Sequence, residues 1–332
     1  MRIATGLAAF VLLVSATPSF AEEDQLDVGR VKVEEWKVPW ENTRPRDPYV
    51  ENENSVWFAG QRGHYLGHLD VATGEMTKVD LTDEAGPHNL ILSKSGDVWY
   101  SGNLKGYVGR YDRKTGDIEK IETPGVKDPH TLIFDEGEQH IYFTAQFSNY
   151  VGRLTLADRK VELTRVERDG ARPYGIDIAP DGTPWVVLFG TNQLARINKD
   201  MSLSYVDLPR EDARPRRIGI TSDGRIWYVD FNKGYLGVYD PANGGFKEWL
   251  MPAGEAARPY GMAVDKHDNI WFVQTGVMPN TFVGFDPATE SYFSSTPIPS
   301  GARAIRHMDY DEETGTVWFG TDANTVGRAK VD

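Results

Sequence analysis

The chain has 332 residues and a formal net charge of −13, from 36 Lys and Arg against 49 Asp and Glu. This acidic balance excludes the basic footprint of a nucleic-acid-binding protein. Hydrophobic residues make up 40% of the chain, which is enough for a full core and excludes general disorder. The chain has no cysteine, which excludes disulfides, thiol chemistry and a lipoprotein anchor.

The first 21 residues have the pattern of a cleavable secretion signal. Arg2 gives a positive start, and the apolar segment over residues 6–15 is too short to span a bilayer. Ser19 and Ala21 put small side chains just before a cleavage site after Ala21. We therefore predict a signal peptide over residues 1–21 and a single mature domain over 22–332, periplasmic or secreted. No later segment has the length and apolarity of a membrane helix, so we expect no membrane insertion.

Residues 31–39, VKVEEWKVP, predict a β-strand that lies before any repeat begins. The segment resembles residues 246–252, FKEWLMP, which end a later repeat. Its place in the fold follows from the repeats.

From residue 45 onward an aromatic-centred motif recurs seven times. Its central residues lie 42 to 47 positions apart, at Trp57, Trp99, Tyr142, Trp185, Trp227, Trp271 and Trp318. About nine residues after each comes Leu or Val followed by Gly or Ala, as in Val108-Gly109 and Leu194-Ala195. Two motifs that recur together seven times at a nearly constant spacing define a true internal repeat.

Each repeat contains short alternating runs rich in Val, Ile, Tyr and Trp, bounded by Gly and Asp turn signals. Four such strands per unit of this length predict an all-β, seven-bladed β-propeller with four-stranded antiparallel blades. The last repeat stops after its third strand, near Ala329. We therefore predict that the strand at residues 31–39 pairs into the last blade, closes the ring and removes two exposed sheet edges.

A proline opens the innermost strand in six of the seven units, since proline is tolerated at a strand start. The residue that follows should face the central channel, and round the ring these residues are Arg46, His88, His130, Tyr174, Arg216, Tyr260 and Arg306. Such asymmetry on a symmetric scaffold indicates a site. The alternative is a solvated rim without a function. Of the other histidines, only His307 is expected near the channel.

The repeats resemble those of the virginiamycin B lyase (streptogramin lyase) family, seven-bladed propellers with units of the form P-[HY]-x-I…D-x-W-F…N-x-I-G-R. The likeness covers residues 30–330. Family enzymes carry Pro-His in one blade, acid-Pro-His with a nearby Glu in the next, and Pro-Tyr-Gly in the blade after. Here those places, shifted round the ring, are filled by Pro87-His88, Asp128-Pro129-His130, Gln146 and Pro173-Tyr174-Gly175.

The resemblance implies an elimination that opens a cyclic depsipeptide at its ester bond without water. His130 would be the general base, His88 would hydrogen-bond the substrate carbonyl or leaving oxygen, and Tyr174 would position the ligand. Asp128 and Gln146 would hold Mg²⁺. The family has Glu at both of these places, so the shorter Asp128 and the neutral Gln146 should weaken a magnesium site.

Arginines crowd the same rim, a feature that the resemblance does not predict. Arg46, Arg216 and Arg306 hold ring positions, and further arginines precede the strand-start prolines or lie beside the ring: Arg44, Arg172, Arg214, Arg217, Arg258 and Arg303. Pairing with acids such as Asp230 or Asp322 is one interpretation. The other is an anionic substrate held by Arg46, Arg216 and Arg306 together with Tyr174 and Tyr260.

Three functions remain open from the sequence. The first is a magnesium-dependent carbon–oxygen lyase, and the second is a non-catalytic periplasmic propeller that binds a small anion or a protein at an arginine-rich mouth. The third, a metal-dependent hydrolase of the gluconolactonase type, needs more acids than this rim offers. We expect a small-molecule substrate, either anionic or a cyclic ester, and a monomer. Gln146 separates the first two, because it is tolerable in a binder and unfavourable in a lyase.

Overall fold

The computed structural model describes residues 27–28 and 31–332, so the predicted signal peptide lies outside the described residues. Seven antiparallel sheets follow one another along the chain. Blades 1 to 3 comprise β3 (Pro45–Asn52), β4 (Ser55–Gly60), β5 (Tyr65–Asp70), β6 (Met76–Asp80); β7 (Leu90–Leu92), β8 (Val98–Gly102), β9 (Tyr107–Tyr111), β10 (Ile118–Glu122); and β11 (Pro129–Phe134), β12 (His140–Ala145), β13 (Tyr150–Thr155), β14 (Val161–Arg165).

The remaining blades repeat this order of strands. Blades 4 to 6 comprise β15 (Pro173–Ile178), β16 (Pro184–Leu188), β17 (Gln193–Ile197), β18 (Leu203–Asp207); β19 (Pro215–Ile220), β20 (Ile226–Asp230), β21 (Tyr235–Asp240), β22 (Gly245–Leu250); and β23 (Pro259–Val264), β24 (Ile270–Gln274), β25 (Thr281–Asp286), β26 (Ser291–Pro297). Blade 7 comprises β27 (Ile305–Asp311), β28 (Thr316–Thr321), β29 (Thr325–Lys330) and β2 (Lys32–Lys37), and one 3₁₀ turn spans Gly254–Ala257.

The innermost strands contact one another in a closed cycle, from β3 through β7, β11, β15, β19, β23 and β27 back to β3. This cycle places the first strand of every blade around one central channel and confirms the predicted seven-bladed propeller. Within the described residues, no helix has the length and apolarity needed to cross a bilayer.

The N-terminal strand closes the ring as predicted. β2 pairs antiparallel with β29, with Glu35 opposite Gly327 and Trp36 opposite Val326. The Trp36 ring also stacks on Trp318 of the same blade, with ring centroids 5.5 Å apart. An additional short strand, β1 (Asp27–Val28), pairs in parallel with β26 of blade 6. The sequence did not predict this second contact.

The Gly of the second repeat motif has a packing reason. In blade 3, Gly152 lies directly opposite Phe143 on the neighbouring strand, and a Cβ at Gly152 would come 2.1 Å from the Phe143 ring. The same aromatic-over-glycine contact recurs in other blades, as Phe58 on Gly67, Tyr100 on Gly109, Tyr228 on Gly237 and Phe319 on Gly327. Blade 4 has Val186 opposite Ala195 instead, because the smaller side chain leaves room for a methyl group.

Candidate functional site

The residues that follow the strand-start prolines lie at one mouth of the channel. In six blades the strand register shifts just after this position, which is the mark of a β-bulge. A bulge bends the strand and re-aims its side chains. Five of the seven ring residues are fully buried: Arg46, His88, His130, Tyr174 and Tyr260. The interpretation of these five as a solvated rim is therefore wrong.

His88 and His130 come from neighbouring blades and their rings are in contact, with centroids 3.7 Å apart. Tyr174 of the next blade continues the row, with its ring centroid 4.1 Å from that of His130. Burial lowers the pKa of both imidazoles well below the ordinary histidine range, and the positive charges of Arg46 and Arg217 lower it further. Both rings are therefore neutral at physiological pH.

Thr131 is the hydrogen-bond partner of His130 Nδ1. Arg217 Nη1 donates to Thr131 Oγ1 over 3.2 Å, and His130 Nδ1 lies 2.8 Å from the same oxygen. The guanidinium can only donate, so the hydroxyl proton of Thr131 is free to point at His130 Nδ1, although the hydroxyl oxygen can also accept from an Nδ1–H. When Nδ1 accepts, the proton of the neutral ring sits on Nε2. This Nε2 is buried and has no hydrogen-bond partner among the described residues.

A buried ionic network supports the imidazoles from blades 1, 2 and 5. Arg46 Nε donates to Asp47 Oδ1 over 2.9 Å, and Arg217 Nη2 lies 3.8 Å from Asp47 Oδ2. Asn89 donates to Asp47 Oδ2 over 3.2 Å and accepts from the backbone N–H of Leu132 over 2.8 Å. The network fixes both arginines and links β11, which carries His130, to the segment that carries His88 just before β7.

Tyr260 lies under Arg216, whose guanidinium carbon is 3.6 Å from the ring centroid. The Tyr260 and Tyr174 hydroxyls are hydrogen-bonded to each other. Burial acts to raise the pKa of Tyr260, but Arg216, Arg46 and Arg217 outweigh it and lower the pKa to about 7. The pKa of Tyr174 is raised, chiefly by burial and then by Tyr260. Tyr260 is therefore the member of the pair that ionises first.

The arginine–acid pairing expected from the sequence is present, but some guanidinium N–H groups still lack an acceptor. Arg306 and Arg44 share Asp322, and Arg210 pairs with Asp230 over 3.0 Å. Five guanidinium nitrogens are buried without a hydrogen-bond acceptor in the described part of the chain: Arg44 Nε, Arg46 Nη2, Arg210 Nε, Arg216 Nε and Arg217 Nη2. Buried N–H groups without acceptors are costly. The mouth therefore offers donors to an anion.

Asp128, one of the two residues predicted to hold Mg²⁺, is engaged by donors of its own turn. Asp128 accepts hydrogen bonds from the backbone N–H groups of Phe147 and Ser148, at 2.5 and 2.9 Å, and from the Ser148 hydroxyl. This carboxylate therefore stabilises the turn that contains Gln146. Residues 27–28 and 31–332 contain no group of three acids, histidines or cysteines arranged to hold a metal. Five of the ten unpaired buried polar atoms of the described residues are guanidinium nitrogens, which cannot bind a cation.

Sequence reasoning brought together His88, His130, Tyr174, Tyr260 and the ring arginines. It missed Asp47, Asn89 and Thr131 as members of the site, and Arg217 was noted only as lying beside the ring. Each of these four stands one position after a ring residue, at Arg46, His88, His130 or Arg216. The residue at this position is polar in each of these four blades, and this was the signal available in the sequence.

A family model described as the virginiamycin B lyase family matches residues 20–280. A solved streptogramin B lyase is 22% identical, covers 91% of this chain and 98% of its own, and superposes with a TM-score of 0.81. The selenomethionine form of virginiamycin B lyase from Staphylococcus aureus is also 22% identical, covers 91% and 100%, and has a TM-score of 0.82. A catalytically inactive histidine-to-alanine variant of that enzyme with quinupristin gives the same values.

A more distant structure, the hydrazine synthase of Kuenenia stuttgartiensis, is 13% identical, with coverage of 89% and 98% and a TM-score of 0.73. At these identities the solved structures show the fold alone. No curated protein sequence matches the chain. The family model spans well over half of the residues, and the seven-bladed propeller agrees with it. The chain belongs to the virginiamycin B lyase family.

Proposed function

We propose that this chain is a carbon–oxygen lyase that opens an ester by proton abstraction, with arginines rather than Mg²⁺ stabilising negative charge. The observation that carries the proposal is the contact between two buried, neutral imidazoles beside arginine N–H groups that lack acceptors. A neutral imidazole can take a proton, and guanidinium groups can hold the enolate that forms. The inactive histidine-to-alanine variant of the Staphylococcus aureus enzyme supports a histidine role in the family.

The hydrogen bonds favour roles for the two histidines opposite to those that the resemblance implies. In the tautomer in which His130 Nδ1 accepts from Thr131, Nε2 carries the proton and donates to a substrate oxygen. His88 Nδ1 is buried without a partner among the described residues and can accept the proton alpha to the carbonyl. The electron pair then forms the new C=C bond, the alkyl C–O bond of the ester breaks, and a carboxylate leaves.

The leaving carboxylate is a second anion that the arginines can stabilise. Arg46 and Arg217 lie near both imidazoles and lower the pKa of each. Their charges therefore lie where negative charge would develop, first on the enolate oxygen and then on the carboxylate. No metal ion is needed to balance either species. We also propose, from the signal sequence, that the protein acts outside the cytoplasm.

The test is an elimination assay on cyclic depsipeptides and simpler β-acyloxy carbonyl compounds, with and without a chelator. We expect an α,β-unsaturated product and a free carboxylate whose summed mass equals that of the substrate, at a rate that the chelator does not change. His88→Ala should lower kcat by about 100-fold or more. His267→Ala, at an exposed site, is the matched control.

Other outcomes assign other functions. Products that together gain the mass of one water would identify a hydrolase and contradict the lyase. Loss of activity on chelation would restore the magnesium prediction. Tight carboxylate binding without turnover of any ester would support the second candidate, a non-catalytic anion-binding propeller. That candidate is favoured by one observation, the full engagement of Asp128 in its turn.

A further inference from the structure

We infer that the ligand of the channel mouth carries a second acidic group, carboxylate or phosphate, which binds in a separate pocket between blades 7 and 1. The inference rests on the proposed function, because it extends the substrate held at the channel. The pocket has a volume of about 540 Å³ and is lined by Asn42, Arg44, Arg62, Ser300, Arg303, Asp322, Ala323 and Asn324.

The pocket lies on the same face as the channel mouth. Arg44 belongs to the connection that leads into β3, and Arg303 to the connection that leads into β27, so both precede inner strands. Arg62 and Asp322 lie in the turns after β4 and β28, whose ends reach the same face. Four loops from two adjacent blades therefore present three guanidinium groups to one cavity.

One carboxylate separates the pocket from the channel. Asp322 accepts from Arg306, a channel residue, with Nε 3.3 Å from Oδ1. Arg44 Nε of the pocket lies 3.5 Å from the same Oδ1. The two binding regions are thus only about one carboxyl group apart, a spacing that a short dianionic molecule can bridge.

The positive charge of the pocket is not balanced. Asp322 is the only acid in its lining and is shared with Arg306. Neither Arg62 nor Arg303 has a carboxylate partner within the described ranges. Glu35, which reaches the lining at Ser300, already accepts from the Ser300 N–H and hydroxyl and from Thr325. An anion would supply the missing charge.

A further observation supports an anion at this place. Burial lowers the pKa of Arg44, and the charges of Arg306, Arg62 and Arg46 add to the effect despite Asp322.

The experiment compares α,ω-dicarboxylates from malonate to pimelate with monocarboxylates of matched length, by calorimetric titration of the full-length protein. At the best length, the dicarboxylate should bind about ten-fold or more tightly than its monocarboxylate. The double variant Arg62→Gln/Arg303→Gln should remove this advantage and leave monocarboxylate binding within about two-fold. Both side chains are exposed, so the fold is not at risk. Arg225→Gln, on the opposite face, is the matched control.

The outcomes separate this inference from the proposed function. A dicarboxylate advantage that is absent at every length, or that persists in the double variant, overturns the pocket. Failure of monocarboxylates to bind counts instead against the channel. The pocket is then tested by itself with inorganic phosphate, which should bind the unchanged protein more tightly than the double variant. Titration of 3-phosphonopropionate beside succinate, which has the same two-carbon spacer, shows whether the protein prefers a phosphonate to a carboxylate at one of the two places, and the double variant shows whether that place is the pocket.

Discussion

The two ends of the central channel carry opposite chemistry, although the same inner strands form both. The mouth is built of arginines, histidines and tyrosines, whereas the far end is a cavity of about 290 Å³ lined chiefly by aliphatic side chains such as Ile133, Ile220 and Val264. The carboxyl groups of the far end are Asp177 and Asp309. These two acids lie in the channel at the end away from His88 and His130, and His307 lines the same cavity.

Burial changes the protonation of the two acids at the far end. It raises the pKa of Asp177 to about 7, and it does the same for Asp309. Below pH 7 these carboxyl groups are mostly neutral, which suits an apolar cavity, whereas the arginines of the mouth stay charged and must be balanced. The repeat therefore sets the structure in the middle of each inner strand, whereas the side chains at its two ends can differ in chemistry and in function.

Removing a central charge from the mouth should have the largest effect. Arg217→Met leaves Asp47 with one fewer cation and Thr131 without its donor, in a buried setting. We expect a loss of about 3–5 kcal/mol in the free energy of unfolding, measured by urea denaturation, together with loss of carboxylate binding. Arg225→Met, at an exposed pair, should change the free energy by less than about 0.5 kcal/mol. Equal effects from the two variants would contradict the distinction between a buried mouth and an ordinary surface.

Neutralising an acid at the far end should stabilise the protein at high pH. Because its pKa is raised from 3.8 to about 7, folded Asp177 keeps its proton while the unfolded chain releases it. Stability therefore falls as pH rises through this window, and the loss is complete above it. Asp177→Asn should raise the free energy of unfolding by about 1–2 kcal/mol at pH 8 and leave it unchanged at pH 4. Thermal unfolding at both pH values measures the difference, and a pH-independent effect would count against it. Asp181→Asn is the exposed control.

Ionisation of Tyr260 should make the mouth less attractive to anions at alkaline pH. With a pKa lowered to about 7, tyrosinate forms as pH rises from 6 to 8 and cancels part of the arginine charge. Carboxylate affinity should then fall by about three- to ten-fold, and Tyr260→Phe should flatten this dependence. Ultraviolet absorbance of tyrosinate provides a direct readout. An unchanged absorbance between these pH values would show that the hydroxyl keeps its proton.

The smallest effect should come from adding a carboxylate to the mouth. Gln146→Glu restores the acid of the family pattern, but Asp128 is already occupied by three donors of its own turn. We expect less than about a two-fold change in Mg²⁺ affinity, measured by calorimetry. A large gain in affinity or in magnesium-dependent activity would mean that the mouth can be converted to the chemistry of the family pattern.

Much of the architecture was predictable, because its signals are local and repeated. The spacing of the aromatic residues gave the number of blades, and the missing last strand gave the pairing of β2. The alternation of Phe143 over Gly152 and Val186 over Ala195 can also be found by aligning the repeats. The short strand β1 was missed, since two residues carry no periodic signal.

The site was predictable in its position and less so in its chemistry. The prolines located His88, His130 and Tyr174, but the hydrogen bonds of Thr131 depend on side-chain directions that sequence spacing does not give. Asp128 shows the same limit. The motif acid-Pro-His reads the same in a sequence whether its acid binds a cation or stabilises a turn, as Asp128 does at Ser148.

The pairing of β2 with β29 has a consequence for biosynthesis. One of the earliest strands to leave the ribosome finds its antiparallel neighbour only when one of the latest has been translated, nearly three hundred residues afterwards. Until then blade 7 is incomplete and the nascent chain is open. Closure of the ring therefore has to wait until blade 7 has been made, whatever the order in which blades 1 to 6 form.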